Sequence, residues 1–174
     1  YLTKDRKGSG LLLNMGLPVN FSLFALGQYS RGLIDSRREW SAFAEAVRTF
    51  DIRIKDAAMV AGNLSGGNQQ KLLLAKIMNA APDILIIDEP TRGIDVGTRS
   101  QIYQFLAEFA ASGRSVIVVS SDITEIIGLS HRVAVMYHGE ITGILDGEEI
   151  EEHEIMRYAT GLKRKGVHHE RHSA

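Results

Sequence analysis

Ile84-Leu85-Ile86-Ile87 is an unbroken apolar run that ends on two carboxylates, Asp88 and Glu89, and then on Pro90. Four apolar residues between polar flanks are too short for a buried helix and fit a strand covered on both faces in a parallel sheet. A second run, Val116-Ile117-Val118-Val119, and a third, Val133 to Met136, have the same character. Helical periodicity lies between them, with Ile102, Leu106, Phe109 and Ala110 inward on a helix over 100–111, and a short helix over 123–129. Strand–helix alternation from Ile84 to Val135 predicts α/β architecture. After Met136 the chain turns through His138-Gly139 and returns over 141–145 as a hairpin. A last helix spans 148–160 and stops at Gly161.

The first half reads differently. Residues 1–33 are Gly-rich and loosely periodic, with a charged loop at Lys4 to Gly8, an expected buried run at Leu11, Leu12 and Leu13, and a new segment opening at Pro18. Ser36 and Glu39 have the spacing of a capping box. Behind them Trp40, Phe43, Ala44, Val47 and Phe50 share one face of a helix over 36–50, with Trp40 expected in the core. A loop over 51–63 leads to an amphipathic helix over 67–80, with Leu73, Ile77 and Ala80 on a common face and Pro82 ending it.

That helix is preceded by Leu64-Ser65-Gly66-Gly67. A serine alone caps a helix, and two adjacent glycines cost backbone entropy. The extra glycine implies that something approaches the backbone closely. An anion is the natural candidate, because free N–H groups and the positive end of the dipole meet at a helix start. The two acids closing the first strand point the same way. Ligands of open α/β sheets bind at the carboxyl ends of the strands, and adjacent carboxylates there need partners. A divalent metal is one partner; a helix cap or surface turn is the bland alternative.

Composition narrows the classes. Hydrophobic residues are 44 % and charged residues 24 % of the 174, ordinary for a globular chain. The formal net charge of −1 gives no basic field for nucleic acid. There is no cysteine, so disulfides and thiolate chemistry are excluded. No apolar run approaches a membrane span. The first residue is Tyr1, which suggests a piece of something longer.

Read together, LSGGNQQK at 64–71 followed by a helix and ILIIDEPTRGID at 84–95 resembles the ATP-binding cassette family of ATPases, over about residues 1–161. The resemblance implies a partial P-loop NTPase core with a parallel sheet, joined to a helical subdomain. It implies a signature motif at Leu64, Ser65, Gly66, Gly67 and Asn68 that reaches the γ-phosphate of ATP held by an opposing, head-to-tail cassette. It implies Asp88 as the Mg²⁺ carboxylate, Glu89 as the catalytic residue that activates water, and Asp95 in a loop contacting across the dimer. Asn68, where many cassettes carry Gln, together with YLTKDRKGSGL at 1–11, is similar to the second cassette of the subfamily that imports simple sugars. Expected partners are then a second cassette, transmembrane permease subunits and, indirectly, a periplasmic sugar-binding protein. No nucleic acid is expected, and the expected location is the cytoplasmic face of the inner or plasma membrane.

The chain departs from the pattern in three places. No G-x-x-x-x-G-K-[ST] occurs, so the main donors to the β- and γ-phosphates are missing and the chain alone is expected to be inactive. In the family fold the phosphate-loop strand lies between strands like those at 116–119 and 133–136, so a gap is expected there. It would be closed by strand rearrangement, dimerisation or the missing part. Ser121 stands where most cassettes carry a histidine on the γ-phosphate; serine donates a hydrogen bond but carries no charge, so slow hydrolysis is expected. His131 and His138 are displaced from that role. Lys4 replaces a frequent Glu in a loop that contacts the membrane subunit. The expected segments are 1–81, ending in the signature helix, 82–162, the Walker B half, and 163–174, a disordered tail in which His168, His169 and His172 form no metal site. Two other functions stay open: a cassette ATPase of DNA repair or translation, and a non-catalytic binding module.

Overall fold

A computed structural model describes residues 1–30, 32–56 and 58–164. The expected tail beyond Arg164, with its three histidines, lies outside the described residues. The chain divides into two compact units, Tyr1–Val119 and the part from Ser120 onward.

In the first unit the elements are α1 (Leu17–Ser22), α2 (Ser36–Thr49), α3 (Gly66–Met78), β1 (Ile84–Asp88), α4 (Val96–Ala111) and β2 (Ser115–Val119). The two strands pair in parallel with Ile86 opposite Ile117. A parallel pair needs a crossover, and α4 provides it. Leu2 extends the sheet on the other side of β1, donating its N–H to Ile86 O at 2.7 Å while its carbonyl accepts from the Asp88 N–H at 2.9 Å. Leu85 and Ile87 are fully buried, worth about 1.5–3 kcal/mol each in area removed from water.

The expected two-sided burial of these strands is corrected. Ile84, Ile86, Ile117 and Val119 share the other face and are 59 %, 37 %, 51 % and 52 % exposed. One face is covered by protein and the other is apolar and open among the described residues. The apolar run reports a strand but not which layer covers it.

The helix that carries LSGG is also less amphipathic than expected. From Gln69 to Ile77 every residue of α3 is buried, while Ala80 is exposed. Its polar members have partners. Lys76 Nζ donates to Gly10 O at 2.9 Å and lies 4.3 Å from the centre of the Phe24 ring. Gln69 Nε2 donates to Ala61 O at 3.2 Å. A periodicity count reads such residues as solvent-facing because it cannot see partners distant in sequence.

At α2 the capping box fails by one residue. Asp35 is the cap, accepting from the Arg38 N–H at 3.1 Å. Glu39 is instead buried and accepts a hydrogen bond from the Ser22 hydroxyl. The inward face is Glu39, Phe43 and Ala46; Ala44 is exposed and Trp40 is 43 % exposed, packed edge-on against Phe43. Of the three leucines at 11–13, Leu11 is buried and Leu12 is exposed. The charged loop after Lys4 winds into a π-helical turn, Arg6–Gly10, with Asp5 accepting from the Gly8 N–H at 2.9 Å.

Buried Asn20 fixes the segment that supports the LSGG approach. Its Oδ1 accepts from the Leu12 N–H at 2.8 Å, and its Nδ2 donates to the carbonyls of Leu12, Met15 and Gly16. The pinned segment then accepts at Met15 O and Leu13 O from the N–H groups of Ala61 and Gly62, at 3.0 and 2.8 Å. Residues 61–63 form a 3₁₀ turn that delivers Leu64 and Ser65 to α3.

The second unit contains α5 (Ile123–Leu129), β3 (Arg132–Tyr137), β4 (Glu140–Asp146) and α6 (Glu152–Ala159). β3 and β4 form an antiparallel hairpin through His138 and Gly139, both at positive φ, with an irregularity at Val135/Met136. α6 starts at Glu152 rather than 148, because Gly147–Glu149 is a separate 3₁₀ turn. Val133, Val135, Leu145, Ile155 and Tyr158 form this unit's core. Gly143 packs closely on it: an added Cβ would stand 2.6 Å from Tyr158 Cδ1. Replacing Gly143 by Ala is therefore expected to cost about 1–3 kcal/mol, the usual penalty for overpacking, read as a lowered denaturation midpoint of this unit. Gly139→Ala, which meets no atom within 4 Å, gives a strain control confined to the turn.

Candidate functional site

Ser65 is the cap of α3. Its Oγ accepts from the Asn68 N–H at 3.4 Å and from Asn68 Nδ2 at 3.0 Å. Asn68 Oδ1 in turn accepts from the Arg53 N–H at 2.9 Å. Asp95 caps α4 in the same manner, with Oδ1 accepting from the Thr98 N–H and Oδ2 from the Thr98 hydroxyl, both at 2.9 Å. These bonds hold the Asp95 carboxyl below the usual carboxylate range, the Thr98 N–H contributing most.

The two helix starts meet at Gly67. A Cβ there would stand 2.8 Å from Thr98 Oγ1 and 3.3 Å from Asp95 Oδ2. A Cβ at Gly66 would stand 3.3 Å from Arg6 Nη2 and 3.4 Å from Gly93 O. Within this unit, then, it is α4 and its preceding turn that approach the double glycine closely. The paired N-termini give one locus of positive dipole. Beside it lies a cleft of about 370 Å³ lined by Arg53, Ser65, Asn68, Lys71, Asp95, Gly97, Thr98 and Gln101. Leu64 is buried and Ser65 exposed.

The segment from Asp51 braces both helices. Buried Lys71 Nζ donates to Asp51 O at 2.8 Å and to Asp51 Oδ2 at 3.1 Å. Gln101 Nε2, on α4, donates to the same Oδ2 at 3.3 Å. The hydrogen bond from Lys71, then that from Gln101, pulls the Asp51 carboxyl below its ordinary value. Lys71 closes the LSGGNQQK motif, whereas Arg53, Thr98 and Gln101 lie outside the sequence motifs, since only the fold brings 51–53 and α4 to the start of α3.

The strand-end acids lie in the same unit. Asp88 closes β1, and its Oδ2 accepts from the Tyr1 hydroxyl at 3.1 Å. Local desolvation, then the hydrogen bond to that carboxylate, pushes the phenol of the exposed Tyr1 up. Glu89 is half-buried and takes a left-handed backbone, φ 52°, with its N–H on Val119 O at 2.7 Å. Such a conformation in a non-glycine residue costs about 1–3 kcal/mol and clusters at functional sites. Gln70 Nε2 donates to Pro90 O at 2.9 Å, joining this turn to α3. Arg6 reaches Gln69 Oε1 and Gln70 Oε1, each at 3.3 Å. Ser121 lies in the second unit, exposed in the turn before Asp122, the cap of α5.

Among the described residues no group of three His, Cys, Asp or Glu could hold a metal ion. A lone strand-end carboxylate still fits Mg²⁺, which keeps several waters and takes one or two carboxylates plus substrate phosphates.

Two outcomes follow from this geometry. Gly67→Ala is expected to lower stability by about 1–3 kcal/mol through overpacking, and Thr98→Ala, which removes the opposing atoms, is expected to recover part of that in the double variant by denaturant titration. Asp51 has a depressed folded-state pKa, so its contribution is present above the unfolded value of about 3.9 and is lost as pH falls through the folded one. Asp51→Asn should therefore be less stable than the parent at pH 7, and the gap should close below about pH 4, followed by denaturation midpoints against pH.

Residues 11–92 match the family described as ABC transporter. The chain is 42 % identical to the ribose import ATP-binding protein RbsA of Clostridium tetani over 164 residues, covering 93 % of this chain and 32 % of that protein. It is 43 % identical to the RbsA of Shouchella clausii, covering 92 % and 32 %. It is 44 % identical to a putative ribose/galactose/methyl galactoside import ATP-binding protein of Rhizobium etli, covering 92 % and 31 %. The chain thus spans about a third of the length of the curated relatives it matches. Among solved structures, the dimeric post-hydrolysis state of the ATP-binding cassette MJ0796 with ADP and Pi superposes with a TM-score of 0.70 at 23 % identity, covering 83 % of this chain and 61 % of that one. A putative metal-chelate type ABC transporter in an inward-facing conformation gives 0.70 at 13 %, covering 85 % and 59 %. Residues 11–92 thus resemble ABC transporter sequence, and the chain has the fold of part of an ATP-binding cassette.

Proposed function

We propose that these residues are the signature-bearing and Walker B part of an ATPase that drives import of a simple sugar. The observation that carries the reading is the joining of two phosphate-directed features in one unit. A capped helix start with an exposed serine opens on a polar cleft, and its helix is hydrogen-bonded through Gln70 to the turn that follows Asp88 and Glu89. The similarity to ribose import ATP-binding proteins supports the substrate class.

In this reading Leu64 through Asn68 meet the γ-phosphate of ATP held by a second cassette packed head to tail. The backbone N–H groups and the Ser65 hydroxyl act as donors. Asp95 contacts the opposing cassette. Asp88 would hold Mg²⁺, which supplies charge neutralisation on the phosphate oxygens when bound. Glu89 accepts the proton of the attacking water. The role proposed for Ser121 is that of a neutral donor to a γ-phosphate. The cassettes work at the cytoplasmic face of the membrane against permease subunits, with a sugar-binding protein delivering substrate to them; no nucleic acid takes part.

Residues 1–81 serve as the segment leading into and forming the helical subdomain, and 82–162 as the Walker B half. The phosphate-binding loop is supplied by sequence outside these residues. Leu2 pairs alongside β1 in the same direction, and the apolar face at Ile84, Ile86, Ile117 and Val119 is the surface that such sequence would cover.

The test is ATP turnover in two samples, this chain alone and the complete gene product. Turnover is expected only in the second, and Glu89→Gln should lower it by about 10²-fold or more, the scale of a lost general base. Turnover by the chain alone would overturn the assignment of the phosphate loop to other sequence. Full activity of Glu89→Gln would overturn the role of Glu89. A complete gene product without turnover would favour the non-catalytic reading, in which Ser121 marks a degenerate site and the signature surface is the working part.

A further inference from the structure

The signature serine sits in a hydrogen-bond pattern that determines where its proton goes. The Arg53 backbone N–H can only donate, and it faces the Asn68 side chain at 2.9 Å. The atom that receives it must be Oδ1, so the other end of the amide is the NH₂ group, which faces Ser65 Oγ at 3.0 Å. The Asn68 backbone N–H, at 3.4 Å from the same oxygen, can also only donate. Ser65 Oγ is therefore met by two donors, and its own proton can be given to neither. Ser65 is exposed and borders the cleft.

From this we infer that Asn68 is a positioning residue that makes Ser65 an outward-directed hydrogen-bond donor, selective for an acceptor-only group such as a phosphoryl oxygen. The inference rests on the reading of Ser65 as a phosphate contact. It adds that the residue after the double glycine sets the direction of the serine hydroxyl, and that the loop at Arg53 fixes the residue that does so. A serine free to rotate would divide its proton between solvent and neighbouring carbonyls. A serine held by two donors presents it preorganised.

Aspartate in place of Asn68 discriminates this role from a structural one. One carboxylate oxygen would still accept from Arg53 N–H, so a purely structural role is preserved. The other oxygen would accept the Ser65 proton and turn the hydroxyl inward. Asn68→Ala instead removes both bonds and leaves the hydroxyl free.

The experiment is a double-mutant cycle on ATP turnover, measured as kcat/KM in the complete gene product, with Asn68→Ala, Asn68→Asp and Ser65→Gly singly and in combination. Glycine is used at 65 because it keeps most of the capping conformation. Denaturation midpoints identify any variant that fails to fold, and Ser65→Thr, which retains a hydroxyl, provides a second substitution at that position. We expect Ser65→Gly to lower kcat/KM at least tenfold and Ser65→Thr to retain most of it. Asn68→Asp should be more damaging than Asn68→Ala. In the Ser65→Gly background Asn68→Ala should change kcat/KM by less than twofold, and the excess damage of Asp should shrink. The inference is overturned if Ser65→Gly is strongly impaired while the losses at Asn68 are the same in both backgrounds, or if Asp is tolerated. If Ser65→Gly itself is without effect, the phosphate reading of Ser65 fails, a result separable from the other two.

Discussion

The close packing of two helix starts at Gly67 is the constraint on which the first unit's site depends. Thr98 and Asp95 occupy the space that a side chain at 67 would need. Because they do, α3 and α4 present their N-termini at one place, and the dipoles act together rather than at separate points of the surface. The remaining features adjust that arrangement. Asp95 closes its own helix, Lys71 and Gln101 clamp Asp51 between the helices, and Arg53 holds Asn68. Apart from the local Asp95 cap, these bonds join segments far apart in sequence, so the site exists only when the unit is folded.

This arrangement gives the double glycine two purposes. Read from sequence, adjacent glycines ahead of a helix imply a close approach by a ligand. In the folded unit they already admit Asp95, Thr98, Arg6 and Gly93. The cleft that an anion would enter opens on the Ser65 and Asn68 side of the same helix end. The glycines thus face Arg6 and the start of the neighbouring helix, and the serine lines the cleft.

Much of the architecture was legible in the sequence. The strands expected at 84–87, 116–119 and 133–136, the hairpin through His138-Gly139 and the helix expected from Gly67 follow from apolar runs, turn residues and caps, and each starts within a residue of its expected position. The failures share a physical cause. Glu39, Gln70, Lys71 and Lys76 are polar and buried because a distant group accepts or donates to each, and Ile84 and Ile117 are apolar and exposed because nothing described here covers them. Pattern reading assigns a side by residue type, whereas burial is decided by tertiary partners. The same limit explains why sequence marks Ser65, Asp88, Glu89 and Asp95 as candidates and not Arg53, Thr98 and Gln101: the former lie in contiguous motifs, and the latter join them only in space.

The most direct test is a structure of the complete gene product bound to a non-hydrolysable ATP analogue and Mg²⁺. The account predicts the terminal phosphate of a nucleotide held by the opposing cassette within hydrogen-bonding distance of Ser65 Oγ, with Asn68 Nδ2 still on that oxygen and Asp88 beside the metal of its own site. A nucleotide bound with Ser65 turned away from every phosphate, or with Asp88 remote from the metal, would contradict it.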